Sequence, residues 1–252
     1  MSWVRVPESS PLAHSSEVEH CPDKTGVDGS SPSAPTKEII LDKILKAIES
    51  SQHCQRNWDL DKTIESEHLK IFEYVLKNAP SKQNIAFYKI HFIFNRNLIK
   101  DIYDNTATYS ARPIEFYNPQ TLANLLVVFE EVLYFNTINE NNEIIAYKQR
   151  DKLTKAQRSM IEETIKQDRL QAVGIASGQL ALVANYLGYK TGFCKCFDSS
   201  AIEKILNLDN KISLLLGIGY SVENIDHNIH HLDREISTRL RPKVEIGIST
   251  IY

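Results

Sequence analysis

Cys194-Lys195-Cys196, framed by Phe193 and Phe197, is the tightest grouping of reactive side chains in this chain of 252 residues. A C-x-C pair invites a metal or redox reading. A structural zinc site takes four ligands, however, and this pair has no companion Cys or His at ligand spacing. On an extended segment residues two apart share a face, so Cys194 and Cys196 are expected to project together and to pack rather than to ligate. His227, His230 and His231 stand at helical i,i+3 and i,i+4 spacing but lack partner ligands, so a polar surface helix is expected there and no metal. Arg239-Leu240-Arg241-Pro242-Lys243 is a basic turn, and two guanidinium groups this close suit a phosphate. Gly217-x-Gly219 follows an apolar run without completing G-x-G-x-x-G, so no dinucleotide loop is expected. Neither a G-x-S-x-G elbow nor a Walker loop occurs.

The elements that must position these groups follow from periodicity. Apolar residues from Ile39 to Ile48 are spaced for a helix ending near Ser50. A polar loop, Ser51 to Asp61, follows, and Glu65–Asn78 is a second amphipathic helix stopped by Pro80. Tyr88–Phe94 carries the aromatic and β-branched bias of a strand. Asn97–Tyr103 is predicted helical, and Leu122–Phe129 a strand. Thr154 is placed as the N-cap of a long helix running toward Val173–Tyr186, with a break near Asp168 left open. The stretch from Val173 to Tyr186 has almost no polar face, so it belongs in a domain centre or a subunit interface. Gly188 supplies its stop. Thr191–Phe197 reads as extended, Ala201–Leu206 as helix, Ile212–Ile218 as a buried strand, and Val244–Ile251 as an alternating terminal strand. Intermixed helices and strands without repeats indicate an α+β fold with a mainly antiparallel sheet.

Three segments in this order resemble the nitroreductase family. Gln52-His53-Cys54-Gln55-Arg56, followed by Asn57-Trp58-Asp59, occupies the place of the family's R-x-S-x-R phosphate motif, with only Arg56 keeping the cation. Ala79-Pro80-Ser81-Lys82-Gln83-Asn84, leading into Tyr88, resembles A-P-S-S-x-N-x-Q-P-W. Pro80, Ser81 and Asn84 match there, and Lys82 replaces a serine. The buried helix followed by Phe193 to Cys196 resembles the part of the family that lays backbone amides against the reactive edge of a flavin. The resemblance spans roughly Lys37 to Pro242.

It implies an intertwined α+β homodimer with a central, mainly antiparallel sheet flanked by helices, and FMN in a cleft between subunits. It also implies a ping-pong reaction in which NAD(P)H gives hydride to the flavin and an acceptor such as a nitroaromatic or quinone takes the electrons. The cofactor-binding residues it implies are Gln52, His53, Cys54, Arg56, Pro80, Ser81, Lys82, Asn84, Phe193, Cys194, Lys195, Cys196, Arg239 and Arg241. No side chain is required as acid or base, since the flavin carries the chemistry. Other branches of the fold that fragment flavin or remove halogen stay open, as does a binding protein that has lost its cofactor. The acceptor pocket is expected from the loops Asn105–Asn118 and Phe135–Arg150.

Composition sets the outer bounds. A formal charge of -3 argues against a general nucleic-acid binder. No apolar run spans a bilayer, and four cysteines do not suggest a disulfide framework. The cytoplasm is the expected compartment. Residues 1–36 are Ser-, Pro- and Gly-rich and poor in aromatics, a make-up that cannot bury a core. They are expected to be either a disordered tail or a spurious over-extended start, with the domain occupying residues 37–252.

Overall fold

Two layers of helices cover a four-stranded antiparallel sheet whose order is β1-β2-β6-β5. The strands are β1 (Tyr88–Ile93), β2 (Leu125–Glu131), β5 (Lys190–Cys194) and β6 (Ile212–Gly219). A separate hairpin joins β3 (Asn136–Ile138) to β4 (Ile144–Ala146). The helices are α1 (Lys37–Ser51), α2 (Ser66–Asn78), α3 (Arg96–Asp104), α4 (Lys155–Tyr186) and α5 (Ser199–Leu206). This computed structural model describes residues 37–52, 54–106, 117–132, 136–138, 144–146, 154–222 and 246–250. The expectations for residues 1–36, for His227–His231 and for Arg239 and Arg241 lie outside the described residues.

β2 explains the layering. Leu125 to Glu130 are all buried, which requires cover on both faces of the sheet. Alternation then sorts the side chains. Leu125, Val127 and Phe129 join Phe72 and Leu76 of α2 and Val173, Ala176, Leu180 and Ala184 of α4 in one cluster. Leu126 and Val128 join Ile99 and Ile102 of α3 and Ile202 of α5 in the other.

The predicted elements recur with differences that have local causes. The second strand begins at Leu125, because Pro119–Leu122 forms a 3-10 turn with Pro at its start. Asn124 ends that turn, donating to Asp59 O (2.8 Å) and Lys62 O (2.7 Å). The strand runs on to Glu131 because Glu130 and Glu131 both find polar partners. α4 continues through Asp168 without a break for 32 residues. Gly188, at φ 95°, closes its end, where Tyr189 N donates to Ala184 O (2.9 Å).

Two expectations change. The first concerns α4, which is not wrapped on all sides: Gly174, Ile175, Gly178 and Leu182 are exposed, opposite buried Ala176, Leu180 and Ala184. One face of α4 therefore packs in the core and the opposite face is open in the single chain. The second concerns the terminal strand. Residues 246–250 form none, and Ile246 and Ile248 are exposed, since no strand among the described residues pairs with them. Gly217 and Gly219 of β6 lie where the turn before β2 packs closely. An added Cβ would collide with the Gln120 carbonyl at the first and with the Asn124 side chain at the second. Among the described residues, no helix is long and apolar enough to cross a membrane.

Candidate functional site

The loop after α1 lies against β5. Gln55 N donates to Thr191 O (2.8 Å), and the Cys54 thiol donates to Phe193 O (3.6 Å). Trp58 anchors the loop's far end through its indole N–H to Pro119 O (2.8 Å). Arg56 turns back on its own loop, with Nη1 donating to Cys54 O (3.1 Å). Its Nε is buried and has no hydrogen-bond partner among the described residues. An ionised guanidinium with an unmatched buried donor favours an anion brought to it. Burial pushes the Cys54 thiol pKa up, while the Arg56 charge pulls it part of the way back. Gln52 is exposed, and His53 lies outside the described residues.

The exit of β5 forms the facing wall. The strand ends at Cys194, so Cys196 lies beyond it and strand alternation does not govern its side chain. Cys194 is buried against the α3–α5 side of the sheet, with Leu126, Ile202 and Leu215 in the same cluster. Its thiol donates to Cys196 O (3.5 Å), and burial pushes its pKa up to about 12. A thiol held protonated in the core is a poor nucleophile and a poor metal ligand. Phe193 is exposed and Cys196 half-buried. Lys195 reaches across to donate to the Ser213 carbonyl.

The Pro80–Asn84 segment is a separate group. α2 stops at Asn78, and Lys82–Asn84 makes one 3-10 turn in which Ile85 N donates to Lys82 O (3.1 Å). Asn84 and Phe87 both have positive φ, 56° and 61°. Asn tolerates that region, whereas for a bulky aromatic it is a strained conformation. Phe87 is held there by burial with Ile165 and Ala172 of α4. Pro80, Lys82 and Asn84 are exposed and Ser81 half-buried. The Lys82 ammonium meets Asp168 Oδ2 at 2.7 Å.

The structure therefore joins Cys54 to the β5 exit directly and Arg56 to it through Cys54, and reaches the Pro80–Asn84 turn through α4. Asp168 holds Lys82, while the adjacent Arg169 pairs with Glu131 at 3.0 Å. Glu131 accepts from Ser213 Oγ (3.0 Å), and Ser213 O receives Lys195. Glu131, Arg169 and Ser213 were not legible as site neighbours, because each contact bridges residues remote in sequence. Asn118 and Gln120 escaped for the same reason, although an Asn-Pro turn before an apolar strand was visible.

An antiparallel sheet with helices on both faces, a long helix leading into an edge strand, and a polar loop laid against that strand's exit make up an α+β fold. The sequence profile of the Nitroreductase family matches residues 39–220. The chain belongs to the nitroreductase family. It is similar to a protein of Exiguobacterium sibiricum assigned as a nitroreductase and solved in complex with FMN: 17% identity, TM-score 0.55, 81% of this chain and 93% of that one covered. It is also similar to a Staphylococcus epidermidis protein assigned as an NAD(P)H:FMN oxidoreductase, at 15% identity and TM-score 0.54, covering 73% and 89% of the two chains. A nitroreductase family protein of Clostridium novyi aligns at 14% identity and TM-score 0.51, over 73% and 89%. No curated protein matches this sequence.

Proposed function

We propose that the protein is an FMN-dependent oxidoreductase that takes hydride from NAD(P)H and reduces a small oxidised acceptor, such as a nitroaromatic or quinone, in a ping-pong cycle. The observation that carries this reading is the buried Nε of Arg56, unmatched among the described residues, in a loop hydrogen-bonded to β5. A phosphate there would supply the acceptor that this donor lacks, and so the described residues fit FMN at its phosphate end. When bound, FMN supplies the two-electron chemistry, accepting hydride from one substrate and yielding electrons to the next.

The chain's own residues bind and orient. Arg56 holds the phosphate, with Arg239 and Arg241 proposed to close over it from the C-terminal segment. The backbone of Phe193 to Cys196 faces the reactive edge, and Pro80, Ser81 and Asn84 offer the remaining polar contacts. Lys82 is committed to Asp168, so its role is to fix the turn against α4. The exposed Gly174, Ile175, Gly178 and Leu182 of α4, together with Ile39, Leu41, Ile44, Leu45 and Ile48 of α1, support a homodimer whose interface covers them, since isolated chains seldom leave so much apolar surface in water.

A cofactor-free binding protein is the second reading. It is favoured by the loss of two phosphate-binding residue types, where Gln52 and Cys54 stand in place of the family's Arg and Ser. Purification followed by a flavin absorption spectrum, then anaerobic titration with NADH and NADPH, separates the two. A yellow protein bleached by either nucleotide supports the oxidoreductase. A colourless protein that takes up no added FMN refutes it.

A further inference from the structure

The chain between α2 and β1 takes a path that one of its residue types resists. Asn84 at φ 56° bears the left-handed region at little cost, but Phe87 at φ 61° does not. An aromatic residue stays there only where its surroundings over-determine it. Three contacts do so. The Phe87 side chain is 6% exposed and clusters with Ile165 and Ala172 of α4. Its carbonyl accepts from Val132 N (2.9 Å). One residue on, the Tyr88 hydroxyl donates to Leu76 O (2.9 Å) and closes the loop at its base. Further along the loop, the Lys82 ammonium meets Asp168 Oδ2 at 2.7 Å.

Ile165, Asp168 and Ala172 stand at i, i+3 and i+7 of α4, so one stripe of that helix takes both the ring and the ammonium. The ring contact is a satellite. Phe87, Ile165 and Ala172 share no buried member with the two clusters that fill the faces of the sheet, and a small cluster under a loop can open while the main core stays shut. The ion pair is within reach of salt, its Lys82 and Asp168 side chains being 52% and 16% exposed. We propose that residues 79–87 are a strained strap that docks on this stripe of α4 and lifts from it as one unit, with Lys82–Asp168 as the catch. Docking holds Phe87 in its left-handed conformation, and lifting lets it relax. Lifting also uncovers Ile165 and Ala172, an apolar stripe that the closed strap hides. Neither state involves a cofactor, so the strap is independent of the flavin reading.

Two measurements on the full-length protein test it. Phe87→Ala and Phe87→Gly both lose the ring, so urea unfolding of the pair compares backbone alone. Ala is the more stable of the two where φ is negative, and Gly where φ is positive. The Gly variant should have the smaller unfolding constant, by about fivefold. Amide hydrogen exchange reads the lifting itself. Asn84 N bonds to Ser81 O, Ile85 N to Lys82 O and Val132 N to Phe87 O. In Asp168→Asn all three amides should exchange faster by one common factor of about two to five, the weight of a partly exposed ion pair. Sodium chloride at about 1 M should do the same to the wild type and add nothing to the variant. Exchange from Leu125 to Phe129 in β2 should not move. A Phe87→Gly protein no more stable than Phe87→Ala removes the strain and overturns the proposal. Three amides that respond by unequal factors, or not at all, overturn the strap as a unit. The exchange arm leaves Phe87 intact, so it decides the matter even if neither Phe87 variant folds.

Discussion

Arg169 Nη2 stands 3.0 Å from Glu131 Oε2, with both side chains nearly withdrawn from water. The pair ties the middle of α4 to the last residue of β2. The helix that carries the exposed apolar stripe is thereby held in register with the sheet that carries the candidate site.

Breaking that pair from one side should be costly. Among the described residues, Arg169→Leu leaves the Glu131 carboxylate with only its Ser213 bond, and a loss of about 3 kcal/mol is expected. Urea unfolding should show a lower midpoint with an unchanged slope. Adding Glu131→Leu should recover most of the loss, because no buried charge is then left alone. A cost under about 1 kcal/mol for the single variant, the level of a surface pair, would mean that the site is wetter than its burial implies.

Arg56→Ala should weaken FMN binding by roughly ten- to a hundredfold, since a hydrogen bond to a charged group contributes about 1.5–3 kcal/mol. Fluorescence titration of the apoprotein measures it. Undiminished affinity would move the phosphate elsewhere.

Glu130 provides the pH dependence. Burial alone would raise its pKa, but hydrogen bonds from Asn210 and His91 outweigh burial and hold it below the ordinary value of 4.5. A carboxyl with a lowered folded pKa stabilises the protein above its unfolded pKa. That contribution disappears as pH falls through the folded value. Stability should therefore decline on acidification below about pH 4.5, and Glu130→Gln should flatten the slope there. Denaturant midpoints taken across that range check it, and an unchanged slope in the variant would refute the assignment.

Gly178 separates folding from assembly. A Cβ built there meets nothing within 4 Å in the single chain, so Gly178→Arg should leave the helix content intact. In a dimer packed on that stripe the same side chain would have no room. Light scattering should then report a monomer where the wild type is a dimer. A dimeric variant would place the interface elsewhere.

The sheet and its helices were legible because their signals are local. The apolar run Leu125–Phe129 of β2, Pro80 after α2 and Gly188 after α4 each act within a few residues. What escaped depends on contacts across the chain. Strand alternation put Cys194 and Cys196 on one face, but β5 ends at Cys194, and Cys196 follows the pull of Asn118, 78 residues away in sequence. Val244–Ile251 alternates as a strand should, yet its described part lies unpaired. Alternation reports a side chain's taste for burial and does not name the surface that buries it.

The order of synthesis gives the first helix a particular history. α1 exposes Ile39, Ile40, Leu41, Ile44, Leu45 and Ile48. Its contacts in the finished fold include the far end of α4, through Lys43 over the Tyr186 ring and Ser50 bonded to Asn185, 135 residues downstream, and β5, through Lys190 bonded to Ser50. At ordinary translation speeds that separation is on the order of ten seconds. Throughout that interval a greasy helix emerges from the ribosome with nothing of its own to pack on, which makes it a natural landing place for a chaperone and the part of the nascent chain most prone to stick to its neighbours on a polysome.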